Sequence, residues 1–476
     1  MTERPNVVFI VCDTFRRDHV GVYGNTRIRT PHLDRLAAES VVFDHHVISS
    51  FPTMPARADF LTGSFSFTFM GWEPLPSDRK TLPAYLSEAG YLTMGVVDTP
   101  FFIRGGYAYD RDFDDFIWVR GQGDDTRPHE RADARLTWRS EEDRLVARTM
   151  SAADRWLERH YKEPFFLYVD TWDPHEPWDP PDYYTELYMP DYDGRHFYPA
   201  YAKYRDAGLT EEEVAIAHAT YCGEVTMVDR WVGHLLSKLD VLGLTDNTYV
   251  VFTSDHGFFF GEHDYFGKAE WFHDPDAKIA EGADLPEWLP ESWLLTLDWS
   301  PLYGELTRVP MFVRGPRLEA GRRSALTTAP DIAPTILDLV GMQSGAMRGR
   351  SFADVVRGGT DEHRPFVVSS WPLYFAEGEL TTAIDSRPRR ISNFMPLTVT
   401  TQDRSLILGS ETDEPELYDT AADPGEASNV WGEKSDEGVA LAEGAVAFLE
   451  EQATPEKFLE PRRAALRRLQ GERAAR

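Results

Sequence analysis

Aspartates and histidines recur in this chain at the ends of apolar runs. Asp13-Thr14 follows Val7–Cys12, Asp98-Thr99 follows Val96-Val97, Asp173-Pro174-His175 comes just past Asp170, and Asp255-His256 closes the run Tyr249–Thr253. Carboxylates and imidazoles are the side chains of proton transfer and metal ligation. In open α/β sheets ligands collect at the carboxyl ends of the strands, so clusters at several strand ends imply one shared site. Each cluster alone reads more simply as local structure: an Asp after a strand caps the next helix, and Asp-Pro-His-Glu-Pro makes a rigid turn. Their repetition at strand ends is what points to a site.

The elements that would position these residues follow from the hydropathy pattern. Val7–Cys12, Phe165–Val169, Tyr249–Thr253 and Met311–Val313 are short apolar runs bounded by turn residues, as in strands buried on both faces. Leu145/Val146, Thr149/Met150, Ala152/Ala153 and Trp156/Leu157 make one apolar helix face. Thr210 followed by Glu211, Glu212 and Glu213 opens a long helix to about Lys238, and Gly341 ends a helix over Asp331–Val340. The alternation predicts an α/β fold with a large mixed, mostly parallel sheet flanked by helices. After residue 355, Phe366–Ser370, Thr398–Thr401 and Ser405–Leu408 predict a small antiparallel sheet closed by a helix near 437–451. The expected organisation is a site-bearing α/β domain over 1–355, an α+β subdomain over 356–455 and a basic tail over 456–476. The tail reads as a solvated terminal helix.

Composition narrows the function classes. The chain has 476 residues, 42% hydrophobic and 13% aromatic, as in a folded protein with a large core. Its 49 Lys and Arg against 79 Asp and Glu leave a net charge of −30, which repels phosphate backbones and anionic membrane surfaces and argues against a nucleic-acid partner. Cys12 and Cys222 are the only cysteines, so there is no disulfide framework and a reducing compartment fits. No run approaches the about 20 apolar residues of a membrane helix. The first apolar run is too short and too β-branched for a signal sequence. The expectation is a cytoplasmic protein without a membrane span, and a homo-oligomer remains open.

The most informative stretch is Thr53-Met54-Pro55-Ala56-Arg57-Ala58-Asp59-Phe60-Leu61-Thr62-Gly63, after the turn-forming Ser49-Ser50-Phe51-Pro52. It resembles the signature of the sulfatases of the alkaline-phosphatase superfamily: Cys or Ser, any residue, Pro, any residue, Arg, then an apolar stretch ending Leu-Thr-Gly. Further matches keep the family's order: Asn6–Asp13 with Arg17-Asp18-His19 and Tyr23-Gly24, Thr30–Leu36, Asp173–Pro177, then Tyr221, Glu224, Asp229 and Gly233. Thr253–Gly257 with Gly261-Glu262-His263 and Gly267-Lys268, Asp331–Thr335, and Glu416–Asp419 with Asp423–Glu426 complete them. The resemblance spans nearly the whole chain and implies an alkaline-phosphatase-like fold. It implies a metal site of Asp13, Asp255 and His256, with Thr14 as a further ligand, holding one or two divalent cations. Hard carboxylates with one imidazole suit Ca²⁺, Mn²⁺ or Mg²⁺, and also accommodate Zn²⁺. It makes Thr53 the nucleophile at a helix N-terminus, whose dipole favours an alkoxide and binds an incoming anion. Arg57, one turn on, would face the same oxygens. His175 and Lys268 match positions that contact the leaving and non-bridging oxygens, and His263 is a weaker match that also reads as a supporting or core histidine.

Two departures shape the expected chemistry. Where the signature has a Cys or Ser that becomes formylglycine, this chain has Thr53, which cannot form that aldehyde. A sulfated threonine would need a second difficult attack at sulfur, whereas a phosphorylated one is hydrolysed by in-line water. Second, the Gly-Lys-Trp-His element expected after Gly90-Tyr91-Leu92-Thr93 is replaced by Val97-Asp98-Thr99-Pro100-Phe101-Phe102, which removes two anion contacts. The leading expectation is a metal-dependent hydrolase that cleaves a small-molecule phosphate monoester or diester with Thr53. The alternatives are a sulfate or sulfonate ester hydrolase, and a non-catalytic binding protein on the same fold. The insertion 269–301, with Trp271, Phe272, Trp288, Trp293 and Trp299 among Pro275, Pro286 and Pro290, reads as a packed segment or as an aromatic lid beside Lys268.

Overall fold

The apolar runs assemble into an eight-stranded sheet in the spatial order Gly321–Thr328, Val41–Val47, Met311–Arg314, Thr248–Ser254, Asn6–Cys12, Phe165–Thr171, Leu92–Val97, Asp115–Trp118. The computed structural model describes residues 4–103, 106–120, 138–195, 201–272, 295–374, 380–381, 389–391, 395–409 and 413–475. Met311–Arg314 runs antiparallel to both of its neighbours, and every other pairing in the sheet is parallel. All seven residues of Asn6–Cys12 are buried, because helices cover both faces of this central strand. Val7, Phe9 and Val11 enter one core and Val8, Ile10 and Cys12 the other, as the two-residue period of a strand requires. Register gathers the site: Cys12 pairs with Thr171 on one side and Ser254 on the other, and Val97 pairs with Asp170. Asp13, Asp98 and Asp255 therefore leave the sheet at the same edge.

The helices form where the pattern places them. Leu145–His160 buries Leu145, Val146, Met150, Trp156 and Leu157. Glu211–Val241 starts from the expected capping box, with Thr210 N donating to Glu213 Oε2 at 2.8 Å and Glu213 N to Thr210 Oγ1 at 3.2 Å. Ile332–Leu339 is preceded by one 3-10 turn at Ala329–Asp331. Among the described residues no helix is long and apolar enough to cross a membrane.

The second sheet is antiparallel and has four strands, Val367–Ser370, Leu397–Thr400, Arg404–Leu408 and Glu416–Asp419. Its fourth strand has no periodic signal of its own, being only Glu-Leu-Tyr-Asp. This sheet reaches the candidate nucleophile: Phe51 N donates to Ser370 O at 3.0 Å and Ser370 N to Ser49 O at 2.9 Å, which clamps the segment leading into Thr53. The helix Trp431–Glu451 closes it.

The C-terminal segment differs from the expected solvated tail. Glu456–Ala475 is a helix packed on Trp431–Glu451, with Phe458, Leu459 and Leu469 buried and Arg462 donating from the interior to Met395 O. Its apolar positions are spaced for one helix face but are diluted by arginines, which pair outward with Glu450 and Glu460. In the insertion, Glu270–Phe272 pairs antiparallel with Leu295–Asp298. Trp299 is buried against Trp371 with ring centroids 4.3 Å apart, and Trp371 lies 4.4 Å from Phe51, so this ring packs beneath the segment carrying Thr53. Trp288, Trp293 and the prolines Pro275, Pro286 and Pro290 lie outside the described residues.

Candidate active site

Thr53 is the first residue of the helix Thr53–Thr62, whose start carries no side-chain cap, so its positive end is open to an anion. The helix is anchored from within: Asp59 accepts from Ser50 N at 3.0 Å, Ser50 Oγ at 2.8 Å and Ser66 N at 2.7 Å. Gly63, in the left-handed conformation at φ 58°, ends it.

Facing that helix start are the expected donors. Asp13, Asp255 and His256 are all fully buried, and one ligand atom from each lies within 4.8 Å of the others. His256 Nε2 is 3.3 Å from Asp255 Oδ2, 4.0 Å from Asp13 Oδ1 and 3.4 Å from Thr53 Oγ1. Its other nitrogen, Nδ1, is 3.1 Å from Gly257 O; donation there leaves Nε2 with its lone pair toward the carboxylates. Thr14 is held at φ 59°, which turns its amide to Asp255 Oδ1 at 2.9 Å and its hydroxyl to Asp13 Oδ1 at 2.7 Å. Its contacts orient both carboxylates.

Arg57 is also fully buried, and its guanidinium is engaged differently from the expectation of an anion contact. Nε and Nη2 donate to the two oxygens of Asp170 at 3.0 and 2.9 Å, while Nη1 meets Asp255 Oδ2 and lies 3.0 Å from Asp13 Oδ2. Asp170 is completed by Tyr168 Oη and Thr99 Oγ1, each at 2.6 Å. Sequence reading noted Asp170 only as a strand end and missed Tyr168; the signal was an Asp in register with Val11 and Val97, which pairing alone reveals.

The donor set fits a divalent cation. Three buried carboxylates, Asp13, Asp170 and Asp255, face one guanidinium, leaving two negative charges that a dication would balance. Asp13 Oδ2 is buried and makes no hydrogen bond, only the ion pair with Arg57 Nη1, and burial followed by the Asp255 charge pushes the Asp13 carboxyl up to about 6. Hard oxygens with one imidazole match the ions named above.

The remaining predicted residues are distributed unequally. Lys268 is 4% exposed, 3.8 Å from Glu176 Oε2, and its carbonyl accepts from Ser300 Oγ at 2.5 Å. His175 packs at a tilt on Trp172, ring centroids 3.9 Å apart, and lies 2.6 Å from Glu176 O through Nδ1; burial and then the Lys268 charge hold its imidazole well below the usual range, hence neutral. His263 is stacked on Tyr303 at 3.6 Å and lies 3.4 Å from Glu305 Oε2. Asp98 accepts from Thr149 Oγ1, Thr171 Oγ1 and Trp172 N at 2.8, 3.1 and 2.5 Å, and Asp173 accepts from Val146 N at 3.0 Å at the start of a helix. Asp173 thus takes up an amide at a helix start, while Asp98 ties Thr149, Thr171 and Trp172 to its own strand end.

Gly257 sets the loop that carries Asp255 and His256. A Cβ there would lie 1.9 Å from Glu305 O, a backbone atom that cannot swing away. Gly257→Ala is expected to cost about 1–3 kcal/mol through overpacking and to weaken cation retention. Thermal unfolding with elemental analysis checks this; an unchanged melting midpoint and full metal content would contradict it.

The family described as Sulfatase matches residues 5–342. The chain belongs to the sulfatase family. A second match, N-sulphoglucosamine sulphohydrolase, C-terminal, covers residues 296–443 of this family member. It is 25% identical over 524 residues to the N-acetylglucosamine-6-O-sulfatase of Bacteroides thetaiotaomicron, covering 90% of this chain and 83% of that protein. In fold it resembles a protein solved in complex with its substrate D-glucosamine-2-N,6-O-disulfate, with TM-score 0.70, 22% identity, and 97% and 99% of the two chains covered. It equally resembles the phosphonate monoester hydrolase of Agrobacterium radiobacter, with TM-score 0.69, 20% identity, and 94% and 96% covered. This sulfatase-family protein is thus a hydrolase with the large mixed sheet and small C-terminal sheet of that fold.

Proposed function

We propose that this sulfatase-family hydrolase cleaves a phosphate monoester or diester through a covalent ester on Thr53, with Asp13, Asp255 and His256 holding a divalent cation. The observation that carries the reading is the threonine itself, its Oγ1 at the open start of a helix and 3.4 Å from His256 Nε2. A bound cation would lower the pKa of that hydroxyl and screen the charge of the ester. Thr53 Oγ1 bonds to phosphorus as the ester oxygen departs, and the hydroxyl proton ends on the leaving alcohol. Lys268, a buried cation, and neutral His175 flank the departing and non-bridging oxygens. Water then displaces Thr53 in line, which returns the hydroxyl and releases phosphate from a monoester substrate or a phosphate monoester from a diester. Arg57, hydrogen-bonded to Asp170 and Asp255 and ion-paired with Asp13, acts as a positioning residue.

A second reading, a sulfate ester substrate, is favoured by the similarity to an N-acetylglucosamine-6-O-sulfatase along 90% of the chain. The two are separated by a panel of aryl phosphate monoester, phosphate diester, phosphonate and sulfate, each with Mn²⁺, Ca²⁺, Mg²⁺ and Zn²⁺. The highest kcat/KM is expected on a phosphate ester. A sulfate ester that leads the panel would overturn this preference and install the second reading; turnover of any member excludes a purely binding role.

A further inference from the structure

A second group of donors converges away from Thr53. His19 lies in the loop after Asp13, and His218 and Cys222 are four residues apart on the helix Glu211–Val241, hence on one face. His19 Nε2 is 2.8 Å from His218 Nε2, and Cys222 Sγ is 3.6 Å from the same nitrogen. The three donor atoms lie within 4.8 Å of one another. Their orientation is set from behind. Asp18 Oδ1 is 2.8 Å from His19 Nδ1, and Arg16 donates to both Asp18 oxygens at 2.9 and 2.7 Å. Donation from His19 Nδ1 to Asp18 would turn the lone pair of Nε2 inward and leave the hydrogen between the rings to His218. His19 and Cys222 are buried and His218 is half-buried, at the wall of a cavity of 490 Å³ that also receives Asp18, Arg27 and Glu262.

We propose that His19, His218 and Cys222 form a zinc site, separate from the Asp13–Asp255–His256 group, with a fourth position that opens on this cavity. A thiolate with two imidazoles is a borderline-soft set that suits Zn²⁺, whereas the carboxylate-rich group at Thr53 suits harder ions. Tetrahedral zinc, with Zn–S about 2.3 Å and Zn–N about 2.05 Å, sets S···N near about 3.5 Å and N···N near about 3.3 Å. The separation of Cys222 Sγ from His218 Nε2 already matches; the rings must part by about 0.5 Å as the ion replaces the hydrogen between them. On binding, His218 passes to its Nδ1–H tautomer and the Cys222 thiol releases one proton, so the ion adds one net positive charge. Asp18 and Glu262 face it, against Arg16 and Arg27. The carboxylate behind His19 is the outer partner that metal-bound imidazoles characteristically have.

The site's place in the fold gives it a role. Tyr221, beside Cys222, donates to Thr14 O at 2.8 Å and accepts from Arg16 N at 2.9 Å. An ion joining His19 to the helix would brace the same loop that presents Asp13 and Thr14, with no contact to substrate.

The test uses the full-length protein, stripped with chelator under reductant and titrated with Co²⁺. The group at Thr53 has no sulfur, so a thiolate-to-cobalt charge-transfer band in the near ultraviolet reports the cysteine site. One equivalent should develop the band, Zn²⁺ should bleach it, Cys222→Ser should abolish it, and Cys12→Ser should retain it. Asp18→Asn should weaken Co²⁺ binding about 10–100-fold. No band in the folded wild type, or a band that survives Cys222→Ser, overturns the proposal. Should Cys222→Ser not fold, His218→Asn at the half-buried ligand decides: at least about tenfold weaker binding supports the site, and wild-type affinity overturns it.

Discussion

Thr53→Ala lowers turnover by about 10³-fold or more, because loss of a covalent nucleophile leaves only the binding groups to act. The substitution removes a hydroxyl at the first residue of a helix whose own anchors, Asp59 and Gly63, lie further along, so the fold is expected to persist. Thr53→Ser retains part of the rate, since the hydroxyl remains while the methyl that limits its rotamers is lost. Co-expression with a formylglycine-generating enzyme leaves the wild type unchanged. Steady-state kinetics on the preferred substrate, with intact-mass detection of a modified Thr53 after rapid quench, provides the measurement. A Thr53→Ala enzyme that keeps most of its activity would mean that another group attacks.

Asp255→Asn is expected to abolish both tight cation binding and turnover. Asp255 receives Thr14 N at 2.9 Å and His256 N at 2.8 Å and also meets Arg57, so it fixes the geometry of the whole donor set. Asparagine keeps the shape and the acceptor oxygen but removes one of the three carboxylate charges set against Arg57, which leaves less negative charge to hold a dication. Elemental analysis after dialysis gives the metal content, and circular dichroism with thermal unfolding verifies the fold. Stoichiometric metal in a folded Asp255→Asn protein would sink the assignment of this group.

Much of the site was legible because its residues sit at the ends of apolar runs. The end of a buried strand is marked by an abrupt change from Val, Ile and Phe to Asp, and such ends lie together in a parallel sheet. Asp13, Asp255 and His256 stand out in this way as strand-end clusters, while their reading as one ligand set and that of Thr53 as nucleophile came from the family resemblance. Arg57 was named for its spacing, yet its direction was not readable. A helix places the side chain one turn beyond Thr53, but which of the surrounding oxygens it takes depends on Asp170, brought across by strand register. His263 shows the converse: its neighbours in sequence suggested the site, and its ring instead stacks on Tyr303.

Local chemistry also misjudged the C-terminal helix. Its arginines made it look solvated, but Phe458, Leu459 and Leu469 lie on one face, and only the neighbouring helix Trp431–Glu451 reveals that this face is covered. His19, His218 and Cys222 likewise have no shared sequence pattern, because a loop and a helix some 200 residues apart supply them.

By itself the sequence determined the α/β class, the strand ends, the capped helices, the family resemblance and the identity of the nucleophile candidate. Those are short-range properties, set by side-chain period, helix caps and residue type. The tertiary structure alone decided which carboxylates share a guanidinium, which histidines face the donor group, and how the small sheet clamps Ser49–Phe51 ahead of Thr53. These depend on strand order and register, which arise when distant segments compete to bury the same two faces of one sheet.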